Sequence, residues 1–199
     1  MKKLAIFDLD GTLLYTLEDL HASTNFALES EGLPARSLDE VRRFVGNGIR
    51  KLIERAVPDG CAPDVTDRVF AAFKRHYAEN CMVLTRPYPG IPEMLDALKA
   101  RGWQLGVVSN KADEPVKALI AHYFPGVFDS VVGERENVRK KPAPDSVFET
   151  VGSLGCDIGQ AVYIGDSDVD GQTAANAGCD CVLVSWGFRG RETLLPFGC

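Results

Sequence analysis

Asp8-Leu9-Asp10-Gly11-Thr12 sets two carboxylates two residues apart, directly behind the apolar run Leu4-Ala5-Ile6-Phe7. On extended backbone, side chains at i and i+2 point to the same side, so both carboxyls address one reaction space. They can share a metal ion while doing different work. One attacks phosphorus to form an acyl phosphate; the other protonates the leaving oxygen and then deprotonates water. Gly11 permits a sharp turn right after them. An Asp-Gly pair by itself is an ordinary hairpin turn, but the pentapeptide behind a short apolar strand is far more specific.

Gly165-Asp166-Ser167-Asp168-Val169-Asp170 follows a second apolar run, Ala161-Val162-Tyr163-Ile164, and packs three carboxylates into five residues. Like charges so close are costly unless a cation neutralises them. Helix capping is the plainer use of such residues, and one of the three is expected to serve it. A calcium loop of the EF-hand type fits poorly. Its twelfth position requires Glu and here holds Ala177, and a strand rather than a helix precedes it. Ser109-Asn110 ends the run Leu105-Gly106-Val107-Val108; a hydroxyl and backbone N–H groups at a helix start suit a phosphoryl oxygen, and equally suit capping. In Arg139-Lys140-Lys141-Pro142, a lysine held ahead of a helix could neutralise a nucleophile and developing phosphoryl charge, although charge runs are more often solvated.

Each of these groups sits at the end of an apolar run, and helical patterns separate the runs. Pro92 to Ala100, Glu114 to Tyr123 and Asp145 to Leu154 read as helices; Cys181-Val182-Leu183-Val184 and, more weakly, Val131-Val132 read as further strands. Alternation of this kind predicts an α/β fold with a Rossmann-like parallel sheet and right-handed crossovers, whose ligands bind at the carboxyl ends of the strands. Residues 16–85 break the rhythm. Leu17 to Glu31 is amphipathic, Ser37-Leu38-Asp39-Glu40 is a capping box opening a second helix, and Gly46-Asn47-Gly48 precedes a third that runs to about Val57. Pro58 to Pro63 reads as a loop and Asp64 to Asn80 as a fourth helix. The expected organisation is a core of residues 1–15 and 86–199 with an all-helical cap of 16–85 inserted over the site, and Thr85 to Gly90 as the return linker.

The chain has 199 residues, 45% hydrophobic and 25% charged, enough for a real core. Its formal net charge of −6 disfavours nucleic acid and anionic membrane as partners, but not a small anionic substrate met by a local field. The start Met1-Lys2-Lys3-Leu4-Ala5-Ile6-Phe7 resembles the opening of a signal peptide, yet Asp8 cuts the apolar run short of the roughly 7–15 residues that a signal needs. A cytoplasmic location follows as the expectation. Cys61, Cys81, Cys156, Cys179, Cys181 and Cys199 form no Cys-x-x-Cys pair and lie near no histidine ligands, so buried thiols are expected and a zinc site is not.

Taken together, in this order and each at its own strand end, the four signals resemble the haloacid dehalogenase superfamily over nearly the whole chain. That resemblance implies Asp8 as nucleophile, Asp10 as general acid/base, Thr12 as a loop-positioning residue and Ser109 as phosphoryl ligand with Asn110 beside it. It implies Lys141, rather than Lys140, as the neutralising lysine. It implies a Mg2+ cofactor on Asp166, the Asp8 side chain and the Asp10 backbone carbonyl, with Asp170 supporting the metal from behind. Dehalogenases of the superfamily lack the second aspartate, so the resemblance implies a phosphatase here.

Phe44-Val45-Gly46-Asn47-Gly48, Val107-Val108-Ser109-Asn110-Lys111 and Ser185-Trp186-Gly187-Phe188-Arg189-Gly190 are similar to the phosphoglycolate phosphatase branch. This implies 2-phosphoglycolate, a small phosphorylated metabolite, as substrate, with Gly46, Asn47, Gly48 and Arg50 as candidates for its carboxylate. Gly-Asn-Gly is equally a turn between helices. A phosphatase for a sugar phosphate or pyrophosphate and a phosphomutase stand as alternatives on nearly the same core, as a monomer or homodimer. A phospho-accepting switch needs neither a lid nor a leaving-group acid, and an inactive binding module has no use for the complete acidic set. Relatives usually continue past the Pro196-Phe197-Gly198 region with another strand and helix, so the stop at Cys199 reads either as a shortened chain or as one part of a longer one, and in the first case the sheet edge would be exposed.

Overall fold

Leu4, Ala5, Ile6 and Phe7 are all buried, as required of a strand covered on both faces. The computed structural model describes residues 3–198. In chain order they form β1 (Leu4–Phe7), β2 (Leu14–Tyr15), α1 (Leu17–Glu29), α2 (Leu38–Phe44), α3 (Ile49–Ala56), α4 (Pro63–Asn80), β3 (Arg86–Pro87), α5 (Ile91–Ala100), β4 (Gln104–Ala112), α6 (Asp113–Tyr123), β5 (Ser130–Glu134), α7 (Asp145–Ser153), β6 (Ala161–Gly165), α8 (Asp168–Ala177), β7 (Asp180–Leu183) and α9 (Arg191–Leu194).

β1 lies in the middle of a five-stranded sheet of order β5-β4-β1-β6-β7. Every neighbouring pair is parallel. The chain steps outward from β1 through β4 to β5, then returns to the other side of β1 for β6 and β7. The direction reverses beside β1, and a parallel sheet opens a crevice at such a point, at the carboxyl ends of its strands. The core beneath includes Leu4, Ile6, Val108, Val132, Val147, Tyr163 and Ala174, from strands and from the helices packed on them. Burying each large aliphatic side chain contributes about 1.5–3 kcal/mol.

β4 runs on through Ser109, Asn110 and Lys111, where the sequence predicts its end at Val108. Its pairing with β5 shifts register between Val108 and Ala112. An irregularity of this kind re-aims side chains while the strand continues, and the three polar residues fall where the β4–β5 pairing is interrupted.

The chain divides into two compact units, Met1–Leu14 with Pro87–Cys199, and Tyr15–Arg86. The second unit contains α1 to α4. Its α2 opens with the Ser37–Glu40 capping box: the Ser37 hydroxyl accepts from the Glu40 N–H, and the Glu40 carboxylate accepts from the Ser37 N–H. Asp19, buried near the start of α1, accepts from the N–H groups of Leu84 and Thr85 and so fixes the end of this unit.

Cys81 is buried, while Cys61, Cys156, Cys179 and Cys181 are partly exposed, less enclosed than expected. Cys199 and the Met1-Lys2 start lie outside the described residues. Among the described residues, no helix is long and apolar enough to cross a membrane.

Candidate active site

All the chemistry-bearing groups of the first unit gather at the carboxyl ends of β1, β4 and β6. Asp8 leaves β1 with its N–H donating to the Ile164 carbonyl at 2.8 Å, which fixes it beside β6. A tight loop follows, in which Leu13 and Leu14 both donate to the Leu9 carbonyl and Gly11 donates to the Leu14 carbonyl. Gly11 has φ +88°, and a Cβ there would lie 2.4 Å from an Asp166 carboxylate oxygen, so the position requires glycine on both counts.

Lys141 sits between β5 and α7, buried, with its ammonium 2.9 Å from Asp8 Oδ1 and 2.7 Å from Asp170 Oδ1. It also donates to the Tyr163 hydroxyl at 2.9 Å. Its backbone is clamped by Asn110: the Lys141 N–H donates to Asn110 Oδ1 at 2.8 Å, and Asn110 Nδ2 donates to the Lys141 carbonyl at 3.0 Å. The Asn110 amide thus holds the lysine, a use that its position beside Ser109 did not suggest. Lys140 pairs with Glu134 at 3.5 Å on the surface. Arg139 pairs with Asp145.

Ser167 is the N-cap of α8, and Asp170, one of the three acids, completes its capping box. The Ser167 hydroxyl accepts from the Asp170 N–H, and the Asp170 carboxylate accepts from the Ser167 N–H. Asp170 Oδ2 also accepts from Ser167 Oγ at 2.6 Å and from the Asp166 N–H, while Oδ1 accepts from Lys141. Tyr163 Oη lies 3.2 Å from that same Oδ1. Two carboxylate oxygens offer about four lone-pair directions, so internal donors fill Asp170.

Asp166 is held from two distant parts of the chain. Its Oδ1 accepts from the Thr12 hydroxyl at 3.2 Å, and its Oδ2 accepts from the Phe188 N–H at 2.7 Å. Trp186 Nε1 donates to the Thr12 carbonyl at 3.1 Å, which ties the tail to the Asp8–Thr12 loop. Phe188 escaped the sequence reading because the contact uses its backbone. The available signal was Gly187, where a Cβ would stand 2.3 Å from Asp166 Cβ and Oδ2. Gly187→Ala is therefore expected to displace Asp166, to lower stability by about 1–3 kcal/mol and to reduce turnover with it. A fall in the urea midpoint alongside the assay checks this.

Lys111 is the second residue that sequence reasoning left without a role. Its Nζ is 2.9 Å from both Asp10 oxygens, with the lysine side chain 2% and the aspartate 15% exposed. The two-residue step from Ser109 was the available signal, since it places both side chains on one side of an extended strand. Ser109 itself is buried, and its hydroxyl accepts from the Lys111 N–H.

Burial pushes the Asp8 carboxyl up to about 7; Asp170 and Asp10 push the same way, against Lys141. Burial also carries Asp166 well above the carboxylate range, with Asp170 and Asp8 adding to it against the Phe188 N–H and the Thr12 hydroxyl. Burial alone would discharge Lys141, but Asp170 and Asp8 outweigh it and hold the ammonium firmly charged. Four carboxylates (Asp8, Asp10, Asp166, Asp170) thus face two ammonium groups (Lys111, Lys141). Asp8, Asp166 and Asp170 each have a carboxylate oxygen within 4.8 Å of the others; since internal donors fill Asp170, Asp8 and Asp166 are the two that could bind a cation directly. An all-oxygen, electron-rich, buried donor set fits a hard divalent cation.

In the helical unit, Gly46 and Gly48 have positive φ, and Gly48 caps α3. Asn47 Oδ1 accepts from Arg55 at 2.9 Å. The Arg50 guanidinium is engaged by Glu54 and Asp67 of the same unit.

The model of the family described as haloacid dehalogenase-like hydrolase matches residues 5–184. The chain belongs to that family. It is 35% identical over 195 residues to the phosphoglycolate phosphatase of Aquifex aeolicus, covering 98% of this chain and 90% of that one. A crystal structure from Lactobacillus delbrueckii subsp. bulgaricus, provisionally assigned as a phosphoglycolate phosphatase, has 36% identity and a TM-score of 0.94, over 100% of this hydrolase and 93% of its own chain. CbbY from Rhodobacter sphaeroides, solved in complex with phosphate, has 25% identity and a TM-score of 0.76, over 96% and 89% of the two chains. The hydrolase is thus an enzyme of the phosphoglycolate phosphatase-like kind, built on the α/β fold of its family.

Proposed function

We propose that this hydrolase is a magnesium-dependent phosphatase that cleaves 2-phosphoglycolate, a small phosphate monoester, through an aspartyl-phosphate on Asp8. The observation that carries the reading is Lys141, whose single ammonium joins Asp8 to Asp170 beside the Asp166 carboxylate. A carboxylate can approach an anionic phosphoryl group only where cations offset their repulsion, and that is what this arrangement supplies.

In this reading Asp8 attacks phosphorus in line and forms an acyl phosphate. Asp10 protonates the leaving alkoxide and then takes a proton from the water that cleaves the acyl phosphate. Lys141 holds Asp8 in place and balances charge on the phosphoryl oxygens. The Ser109 hydroxyl and the Thr12 loop orient the phosphoryl group, and Asn110 keeps Lys141 aimed. Asp8, Asp166 and the Asp10 carbonyl would hold magnesium, and Asp170, its oxygens already filled, would steady Asp166 and Lys141 from behind. When bound, magnesium supplies Lewis-acid polarisation and neutralisation of the phosphoryl group. Gly46, Asn47, Gly48 and Arg50 are kept as contributors to substrate choice. The setting is the cytoplasm, with the protein a monomer or homodimer.

Phosphate release from a panel of small esters, with magnesium and with excess EDTA, tests the reading. Release is expected to fall to background in EDTA, to return on adding excess magnesium, and to be greatest for 2-phosphoglycolate. Broad release with no preference would discard the substrate, and undiminished release in EDTA would discard the metal.

A further inference from the structure

We infer that Tyr163 is a positioning residue that keeps the Lys141 ammonium aligned with Ser109 during turnover; this rests on the phosphatase reading and adds a residue to that site. Tyr163 is fully buried on β6. Its hydroxyl accepts from the Lys141 ammonium at 2.9 Å. The hydroxyl has one proton to give, and two acceptors face it at 3.2 Å: the Val108 carbonyl and Asp170 Oδ1. In the strand order β4-β1-β6 the tyrosine therefore reaches across β1 to the residue just before Ser109. One oxygen thus touches the lysine that precedes α7, the strand that carries Ser109, and an acid in the first turn of α8.

An ammonium has three N–H donors. Those of Lys141 have three acceptors: Asp8 Oδ1, Asp170 Oδ1 and Tyr163 Oη. Two of these are carboxylates. The third belongs to a phenol, which is neutral below about pH 10. A neutral third acceptor fixes the direction of the ammonium without neutralising more of its charge, and that charge is what the phosphoryl group needs. The need is greatest once Asp8 has become an acyl phosphate. Phosphorylated, Asp8 no longer carries the charge that balances Asp170, and Lys141 has to serve the phosphoryl oxygens against the pull of Asp170. The Asn110 clamp fixes the backbone of the lysine, not its ammonium. Tyr163 is the neutral contact that stays with the ammonium in both states, and its tie to Val108 keeps that contact in register with Ser109.

The test compares kcat and KM for the wild type, Tyr163→Phe, Lys141→Met and the double variant. Each is assayed with magnesium on whichever ester of the panel the wild type cleaves fastest, and folding is followed by thermal melting. Tyr163→Phe keeps the ring and removes the oxygen. It is expected to lower kcat on the order of 10-fold, in line with losing one hydrogen bond to a charged group, and to leave KM within about twofold. Made in Lys141→Met, the same change is expected to cost less than about twofold in kcat, because no ammonium is left to position. A loss expressed in KM alone, or a kcat for Tyr163→Phe within about twofold of the wild type, would overturn the inference. Losses that multiply in the double variant would do the same and leave Tyr163 as a packing residue. If Tyr163→Phe fails to fold, 3-fluorotyrosine placed at position 163 decides, since it keeps the hydroxyl and weakens it as an acceptor. It is expected to lower kcat about threefold at unchanged KM, and an unchanged kcat would overturn the inference. A wild type that releases phosphate from no ester would sink the phosphatase reading itself, and the inference with it.

Discussion

Asp8→Asn is expected to stop turnover while leaving the fold intact. The amide keeps the shape of the carboxylate but cannot attack phosphorus, so the loss should be at least on the order of 10,000-fold, the scale seen when a covalent nucleophile is removed. Stability should barely move. Asp8 faces Asp170 and Asp10 as well as Lys141, so the change removes repulsion along with attraction, and Lys141 retains its 2.7 Å contact with Asp170. Phosphate release measures the first effect and circular dichroism with thermal melting the second. A further check is acid quenching during turnover followed by mass spectrometry, which should find phosphate bound at Asp8 in the wild type and none in the variant. Residual activity within tenfold of the wild type would remove Asp8 from the nucleophile's role.

Lys141→Met is expected to damage both the fold and the reaction. It leaves Asp8 and Asp170 buried beside one another with no cation between them. Stranding a buried charge by removing its partner costs about 3–5 kcal/mol. In a chain of this size that lowers the melting temperature by roughly 10 °C. Turnover should drop by about 100-fold or more, since the phosphoryl charge loses a fixed cation. The pair of variants also has a signature. Asp8→Asn combined with Lys141→Met should be less destabilised than the sum of the two single changes, because the first removes a charge that the second leaves stranded. Strict additivity would mean that the lysine does not act through Asp8.

The strands that carry the site were legible from residue types alone. Leu4 to Phe7 and Ala161 to Ile164 are short apolar runs that end in acids, a pattern that a buried parallel strand imposes. The helices were legible within a residue or two, as Pro63–Asn80 and Ile91–Ala100 illustrate. β4 was read too short because its last residues, Ser109 to Lys111, are polar, and polarity at a strand end looks the same whether the chain leaves the sheet or bulges and continues. β2 and β3, two residues each, are too short to show any periodicity. Among Asp166, Asp168 and Asp170, spacing could not say which would cap α8. The hydroxyl between them took the cap because Ser167 already has the extended backbone of an N-cap, and Asp170 falls three residues later, where a side chain reaches back. Lys111 was hidden for a different reason. A lysine in a sequence says nothing about its partner, and only the sheet brings it to Asp10, 101 positions away.

The two tethers from the tail bear on when the enzyme can first work. Thr12 and Trp186 are 174 positions apart, and Asp166 waits for the N–H of Phe188. On a ribosome adding about 5–20 residues per second, Asp8 is made roughly 10–40 s before the groups that finish its surroundings. If Asp8 acts as proposed, a growing chain carries that aspartate with the centre unassembled until Trp186 and Phe188 have been made and have closed on the Thr12 loop and Asp166.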